Sequence, residues 1–361
     1  MDTETFTGLL AKHGVPGAQL VVRRGDETLS LAAGEERLGS GRAVTAESRF
    51  PLGSLTKPFT AALAMTLVAD EDLDLDEPLT GLPVTLRQLL SHTSGLESNV
   101  DEEGARSRWA AKYRRQPDFP PGTVFSYSNV GYVLAGHLAE EVTGMDWAEA
   151  LTAILGVAAE DPTVSGHSGR IPVEQVMSAL EAPNGGLALS ASNLVKFLEN
   201  DINAEMCDEQ LDDVEIGPFG LADGWGLGWA RFGSCWGHDG TGDGTSAHLR
   251  FSGDLAVALT ANAGTAPALW ADVLAELDFA QPKVERVPVA APLDRAGVYL
   301  NGDAEFVIEA ADGQLSMGGV PLTCYEDLTF QIRDNSGTAF GGRFLPGDLL
   351  QVTGRLARRR A

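Results

Sequence analysis

The order of apolar and polar positions divides the chain into a mixed front part and a strand-rich end. Residues 3–13 read as a short helix, which Val15-Pro16-Gly17 breaks. Residues 18–24 and 28–33 read as two strands joined by a turn at Gly25-Asp26. A helix is predicted to start near Ser54 and to run through Ala61-Ala62-Leu63-Ala64-Met65 to about Asp70. Pro58 falls in its first turn, where a missing N–H does little harm. Residues 85–91, 128–143, 146–154 and 190–200 are further helical candidates, with tight loops such as Phe119-Pro120-Pro121-Gly122 between them.

From about residue 225 the texture changes. Apolar runs at 226–232, 246–251 and 255–261 alternate with Gly-rich turns, as antiparallel strands would, and 268–278 reads as a closing helix. Residues 281–292 are rich in Pro and Val and read as a linker. Beyond them, 293–361 reads as a small all-β appendage with turns at Asn301-Gly302, Asp312-Gly313 and Asp334-Asn335. The basic end, Arg355 to Arg360, is expected to be a frayed, solvated tail. The chain shows no internal repeat of 20–50 residues.

Composition narrows the class. The 361 residues are 43% hydrophobic and 21% charged, ordinary for a globular protein able to bury a large core. The formal net charge is -25, a field that repels phosphate backbones and anionic lipid, so neither nucleic acid nor membrane is an expected partner. Three cysteines, Cys207, Cys235 and Cys324, have no metal-ligand spacing and read as unpaired thiols in a reducing compartment. The acidic start, Met1-Asp2-Thr3-Glu4, leads into no apolar signal region, and there is no run of about 18 apolar residues. The expected location is the cytoplasm. No cofactor and no metal is expected, because neither a zinc motif nor a complete calcium loop is present: Asp72-Leu73-Asp74-Leu75-Asp76 lacks the required Gly and Glu.

Three short motifs carry chemistry: Ser54-x-x-Lys57, Tyr127-Ser128-Asn129 and His238-Asp239-Gly240. On a helix, side chains three apart share a face. A serine hydroxyl needs a base beside it, and a lysine can be that base only if burial or a nearby cation destabilises its ammonium. Each motif alone arises readily by chance; together, in this order, they do not. No Gly-x-Ser-x-Gly elbow is present, which argues against an α/β-hydrolase route.

With these motifs the chain resembles the serine β-lactamase and penicillin-binding-protein-like superfamily over about residues 15–265. It is closest to the branch of class C β-lactamases, D-alanyl-D-alanine carboxypeptidases and related esterases. Supporting segments include Arg49-Phe50-Pro51-Leu52-Gly53-Ser54-Leu55-Thr56-Lys57, Leu89-Leu90-Ser91-His92-Thr93-Ser94-Gly95-Leu96 and Gly237-His238-Asp239-Gly240. The resemblance implies an α/β (α+β) sandwich on an antiparallel sheet within residues 1–280, with an all-helical subdomain inserted at roughly 65–190. It implies Ser54 as acylated nucleophile, Lys57 as its base, and Tyr127 as general base and acid. Asn129 would bind substrate and hold Lys57. His238 and Gly240 would edge the cleft, and the backbone N–H groups of Ser54 and Thr241 would form the oxyanion hole. His92 would be a structural turn residue.

Many relatives carry Lys-Thr-Gly where this chain has His238-Asp239-Gly240. A histidine is only partly charged near neutrality, and Asp239 adds a negative charge, so a neutral or cationic ester or amide is the expected substrate. The expected function is hydrolysis of an ester or amide through an acyl-enzyme. The alternatives are an acyltransferase or peptide-cyclising thioesterase using the same intermediate, and a non-catalytic binding module.

Overall fold

The computed structural model describes every residue except 101–102, 175, 177, 201, 212–215, 218–221, 278, 280–285 and 334–338. Much of the 281–292 linker and the Asp334-Asn335 turn therefore lie outside the described residues.

The first layer is a seven-stranded antiparallel sheet. The strands Gly17–Arg24 and Glu27–Gly34 form one edge, and Leu255–Ala261 pairs with the former. Thr245–Ser252, Cys235–Gly242, Ala230–Phe232 and Gly224–Trp225 follow in that order. Because side chains alternate along a strand, each strand feeds two cores. Leu20, Val22, Val257 and Leu259 pack under the helices Thr3–His13 and Ala266–Glu276. Val21, Ala247, Leu249 and Ala258 face the opposite layer with Leu52, Leu55, Phe59 and Leu63. That layer is led by the helix Lys57–Ala69, which is buried on nearly all sides, as its low polarity dictates. Asn129–Thr143 and Trp147–Leu155 pack against it. Ser128 and Asp146 cap these two helices, and Gly144 and Gly156 end them in left-handed conformations.

The carboxyl-terminal strands, Gly297–Asn301 through Arg355–Arg359, form a closed eight-stranded barrel. Neighbours in sequence pair in turn, and the last strand returns to the first at Tyr299–Arg359. Tyr299, Phe330, Phe344 and Leu350 fill its interior. Closure leaves no free strand edge.

The structure corrects the sequence reading at several points. The strand that the resemblance implied at His238 is Cys235–Gly242; it runs through Gly240 and Gly242, whose segment 240–244 reads as a tight turn in sequence, and the turn comes at Asp243-Gly244. Arg355 to Arg359 is the strand that closes the barrel, not a frayed tail. Of the 226–232 run, only Ala230–Phe232 is strand. The helix at Ser54 opens as a separate 3-10 turn, Gly53–Thr56. The three cysteines are free thiols. Among the described residues no helix is long and apolar enough to cross a membrane.

One end of the barrel docks on the helical layer through two turns. Buried Asn301 is the pivot. Its Oδ1 accepts from Ser98 N–H at 2.7 Å, and its Nδ2 donates to the Leu356 carbonyl at 2.9 Å. Gly302 N–H donates to Asp118 Oδ2 at 2.8 Å, and Arg115 pairs with Asp303 at 2.8 Å. Leaving a buried partner unsatisfied costs about 1–3 kcal/mol. Asn301→Ala strands both an N–H and a C=O, so it is expected to lower unfolding stability by roughly 2 kcal/mol or more. Urea denaturation of wild type and variant checks this; an unchanged midpoint would show that Asn301 does not hold the interface.

Candidate active site

The site forms where the Cys235–Gly242 strand meets the turn before the central helix. Gly53 takes a left-handed φ of 53°, and a Cβ there would lie 2.3 Å from the Thr241 carbonyl oxygen. A Cβ on Gly240 would lie 1.9 Å from Leu52 O and 2.7 Å from Leu55 N. Two glycines thus let strand and turn touch backbone to backbone, and Ser54 sits at the contact, half-buried. Gly240 acts first as a packing position, and Thr241 brings its backbone beside the turn that carries Ser54.

In a 3-10 turn, residues three apart eclipse each other. Lys57 Nζ accordingly lies 3.2 Å from Ser54 Oγ. Nζ also donates to the Asn184 carbonyl at 2.9 Å. Lys57 is fully buried, and no described carboxylate pairs with it. Burial, and then the nearby Arg355 guanidinium, hold its pKa well below the usual lysine value. The Tyr127 phenol lies within hydrogen-bonding reach of Ser54, and burial pushes its pKa up to about 12. The arrangement therefore pairs an amine disposed to accept a proton with a phenol that keeps its own.

Asn129 opens the helix that Ser128 caps, but its expected bond to Lys57 is not made. Lys57 is held by the backbone of Asn184, and Asn129 Oδ1 is buried without a partner among the described residues.

His238 and Asp239 point to opposite faces of their strand. His238 pairs in register with Leu249, which faces the nucleophile, whereas Asp239 pairs with His248, which stacks on Trp270 across the sheet. Asp239 binds Arg250 at 2.7 Å and His248 at 2.8 Å. Burial alone would raise its pKa; Arg250 and His248 outweigh that and hold it well below the ordinary carboxylate range. Its charge is compensated and turned away from the cleft, so it does not repel an anionic substrate, contrary to the sequence reading. Nor is His238 partly charged. Burial, with Lys57 nearby, lowers its pKa to about 3. Its Nδ1 is hydrogen-bonded to the Asp239 carbonyl at 2.7 Å, which makes Nδ1 the protonated nitrogen, and Nε2 is buried without a partner among the described residues.

Three residues at the site were given no chemical role from sequence. His92 has a left-handed φ of 58° and stacks on the Tyr127 ring at 4.1 Å, while its Nδ1 accepts from Ser128 N–H. Trp225 stands edge-on to His238 at 5.4 Å, and its indole N–H is buried without a partner among the described residues. Arg355 reaches in from the barrel to 5.2 Å from the Tyr127 ring centre. The same barrel turn fixes Tyr127 itself, whose N–H donates to the Gly354 carbonyl at 2.9 Å. Ser98 Oγ donates to the Tyr127 carbonyl at 2.9 Å, and Ser98 is in turn tied to Asn301. The motif pattern around His92 was visible in the sequence; nothing near Arg355 resembled a motif.

Residues 3–277 match the β-lactamase family profile. The chain belongs to the β-lactamase family. It is 30% identical to penicillin-binding protein 4 of Amycolatopsis lactamdurans over 82% of this chain and 96% of that protein. A D-aminopeptidase of Brucella anthropi is 28% identical over 41% of this chain and 32% of its own length. The solved structure of SurE superposes with a TM-score of 0.82 at 35% identity, covering 99% of this chain and 98% of that one. An octameric penicillin-binding protein homologue from Pyrococcus abyssi shares the fold over 99% of this chain and 100% of its own, at 21% identity and a TM-score of 0.66. These relatives place the family member among proteins of the serine-hydrolase type.

The neutral histidines set a pH signature. His238 titrates near 6.5 when unfolded and about 3 when folded. A depressed folded pKa contributes stability that is fully present above pH 6.5 and lost as pH falls toward 3. His92, also lowered, adds in the same direction. Wild type is therefore expected to lose stability between pH 6.5 and 4, and His238→Gln to lose less. Chemical denaturation across that range tests it; parallel curves for the two proteins would contradict a buried neutral His238.

Proposed function

We propose that the chain is a serine hydrolase that cleaves an ester or amide through an acyl-enzyme on Ser54. The observation that carries this reading is the buried Lys57 amine 3.2 Å from Ser54 Oγ, paired with no carboxylate among the described residues. Ser54 Oγ attacks the substrate carbonyl as its proton passes to Lys57 Nζ. The backbone N–H groups of Ser54 and Thr241 receive the oxyanion. Collapse breaks the bond to the leaving group, which takes a proton from the Tyr127 phenol; Lys57 then restores the phenol's proton. Water repeats the sequence in reverse, with Lys57 as base, and releases the acid. Asn129 and His238 offer an unpartnered amide oxygen and ring nitrogen to the substrate.

A second reading changes only the acceptor: an amine attacks the acyl-enzyme in place of water. SurE, which matches this chain throughout, has also been solved with D-Leu, which favours a D-amino acid component on one side of the reacting bond. Product analysis with and without an added D-amino acid amide separates hydrolysis from transfer.

Two variants test the assignment. Ser54→Ala is expected to lose at least about three orders of magnitude in rate and all labelling by a fluorophosphonate, read by intact mass. Lys57→Met is expected to lose labelling too, while its thermal midpoint rises or holds, because it removes a buried amine without a counter-charge. Retained labelling in either variant refutes the assignment.

A further inference from the structure

We propose that His92 is a positioning residue for Tyr127: it fixes the tyrosine ring and the backbone on both sides of it, and so serves the step in which the phenol protonates the leaving group. The proposal rests on the acyl-enzyme reading above.

His92 follows the short helix Leu86–Leu90 and the residue that ends it, Ser91. Its φ of 58° lies in the left-handed region, which L side chains rarely adopt and which persists only where the surroundings impose it. Glycine would hold this turn with less strain, so the turn alone does not call for an imidazole. The contacts do. From one buried residue, three consecutive positions are held. The His92 carbonyl accepts from Ser126 N–H at 2.9 Å, its ring stacks on Tyr127 at 4.1 Å with the planes 28° apart, and its Nδ1 accepts from Ser128 N–H at 3.0 Å.

The backbone bonds of Tyr127 to Gly354 and Ser98 fix where its side chain starts, but they leave the ring free to turn. The His92 stack is the closest of the ring's aromatic contacts, ahead of Trp225 at 5.8 Å and His238 at 6.4 Å. His92 is a fixed wall because Phe125, Tyr132 and Trp225 enclose it in turn, at 5.7, 5.2 and 5.1 Å. Tyr132 is itself pinned by its hydroxyl, which donates to the Leu90 carbonyl at 2.7 Å. An acceptor at Nδ1 puts the ring proton on Nε2, and a doubly protonated ring would have no acceptor left for Ser128. Burial, and then Lys57, His238 and Arg355 around it, hold His92 well below the usual histidine pKa, so the accepting form is the one present. Nε2 has no hydrogen-bond partner among the described residues, which fits a residue that acts through Tyr127 rather than one that passes the proton itself. A leaving group that departs as a stable anion needs no help from the phenol. An alkoxide must receive the Tyr127 proton as its bond to the carbonyl carbon breaks, and there the loss of His92 is felt.

Two esters of one acid separate a positioning role from a merely structural one. p-Nitrophenyl butyrate releases a phenolate that departs unprotonated, so its acylation burst in His92→Asn is expected to stay within about threefold of wild type. Ethyl butyrate must release a protonated alcohol, and its kcat is expected to fall roughly a hundredfold with KM within about twofold. Asparagine tolerates the left-handed turn and keeps an acceptor but loses the stack. His92→Phe keeps the stack and loses the acceptor, and is expected to show the same selectivity. In a Tyr127→Phe background, adding His92→Asn is expected to cost less than about threefold more on the ethyl ester. Equal losses on both esters, or the full loss repeated in Tyr127→Phe, overturn the proposal. Circular dichroism at the assay temperature checks that each variant is folded. Fluorophosphonate labelling of wild-type Ser54 keeps the two claims apart: a serine that labels while both esters slow together sinks His92 alone. A serine that neither labels nor cleaves either ester sinks the hydrolase reading, and hydrogen exchange of the Ser128 amide then decides His92. Exchange at least about tenfold faster in His92→Phe supports its hold on Tyr127, and unchanged exchange refutes it.

Discussion

A fully buried lysine that pairs with no carboxylate among the described residues is the constraint around which the fold is organised. Taking an ammonium out of water costs several kcal/mol unless it is paired or neutralised. Among the described residues Lys57 bonds to the hydroxyl of Ser54 and the carbonyl of Asn184, and no carboxylate pairs with it. Its folded pKa is depressed, so the cost is felt at neutral pH and fades as pH rises toward 10.5. The rest of the molecule sustains that cost. The central helix is packed from all sides, the sheet closes over it, and Arg355 adds a second positive charge. Such an arrangement is poor for stability and useful for proton transfer, because the amine seeks a proton partner that the site provides only through Ser54 and Tyr127.

Tyr127 shows how the barrel enters the chemistry. Its phenol must meet Ser54, yet its backbone belongs to a loop that no sheet supports. The N–H is held by Gly354 and the carbonyl by Ser98, which Asn301 fixes in turn. Two of these three tethers run through the barrel. A module that sequence marks only as an appendage therefore sets the position of a proton-carrying group.

The legible parts of this site were the ones that depend on spacing. Ser54 and Lys57 had to meet because three residues separate them on a helical turn, and the two companion motifs pointed to the same place. The long helices and the regular strands were legible for the same reason: their apolar positions repeat. The strand Cys235–Gly242 was not, because its glycines read as a turn. They are present because the strand touches the Ser54 turn backbone to backbone, a tertiary demand that overrides strand preference. The resemblance placed His238 on a sheet strand, but the alternation that sends His238 and Asp239 to opposite faces was not drawn from it. Arg355 was illegible for a different reason. A run of arginines near a chain end looks solvated in any sequence, and only barrel closure, which joins residues 58 apart between Gly297–Asn301 and Arg355–Arg359, carries it inward.

Once Asp239 is turned away and paired with Arg250, the argument about charge in the cleft changes sign. Sequence alone gave the site a half-charged histidine and a carboxylate, a combination hostile to an anion. The folded site holds a neutral histidine, a lysine whose pKa is lowered, and an arginine that pairs with no carboxylate among the described residues. Its local charge thus differs in sign from that of the whole protein, whose formal charge is -25. The two scales do not conflict, since charges more than about 10 Å away are largely screened by salt while a half-buried guanidinium is not. The overall field governs which large surfaces approach, and the groups lining the site govern what a small molecule meets inside.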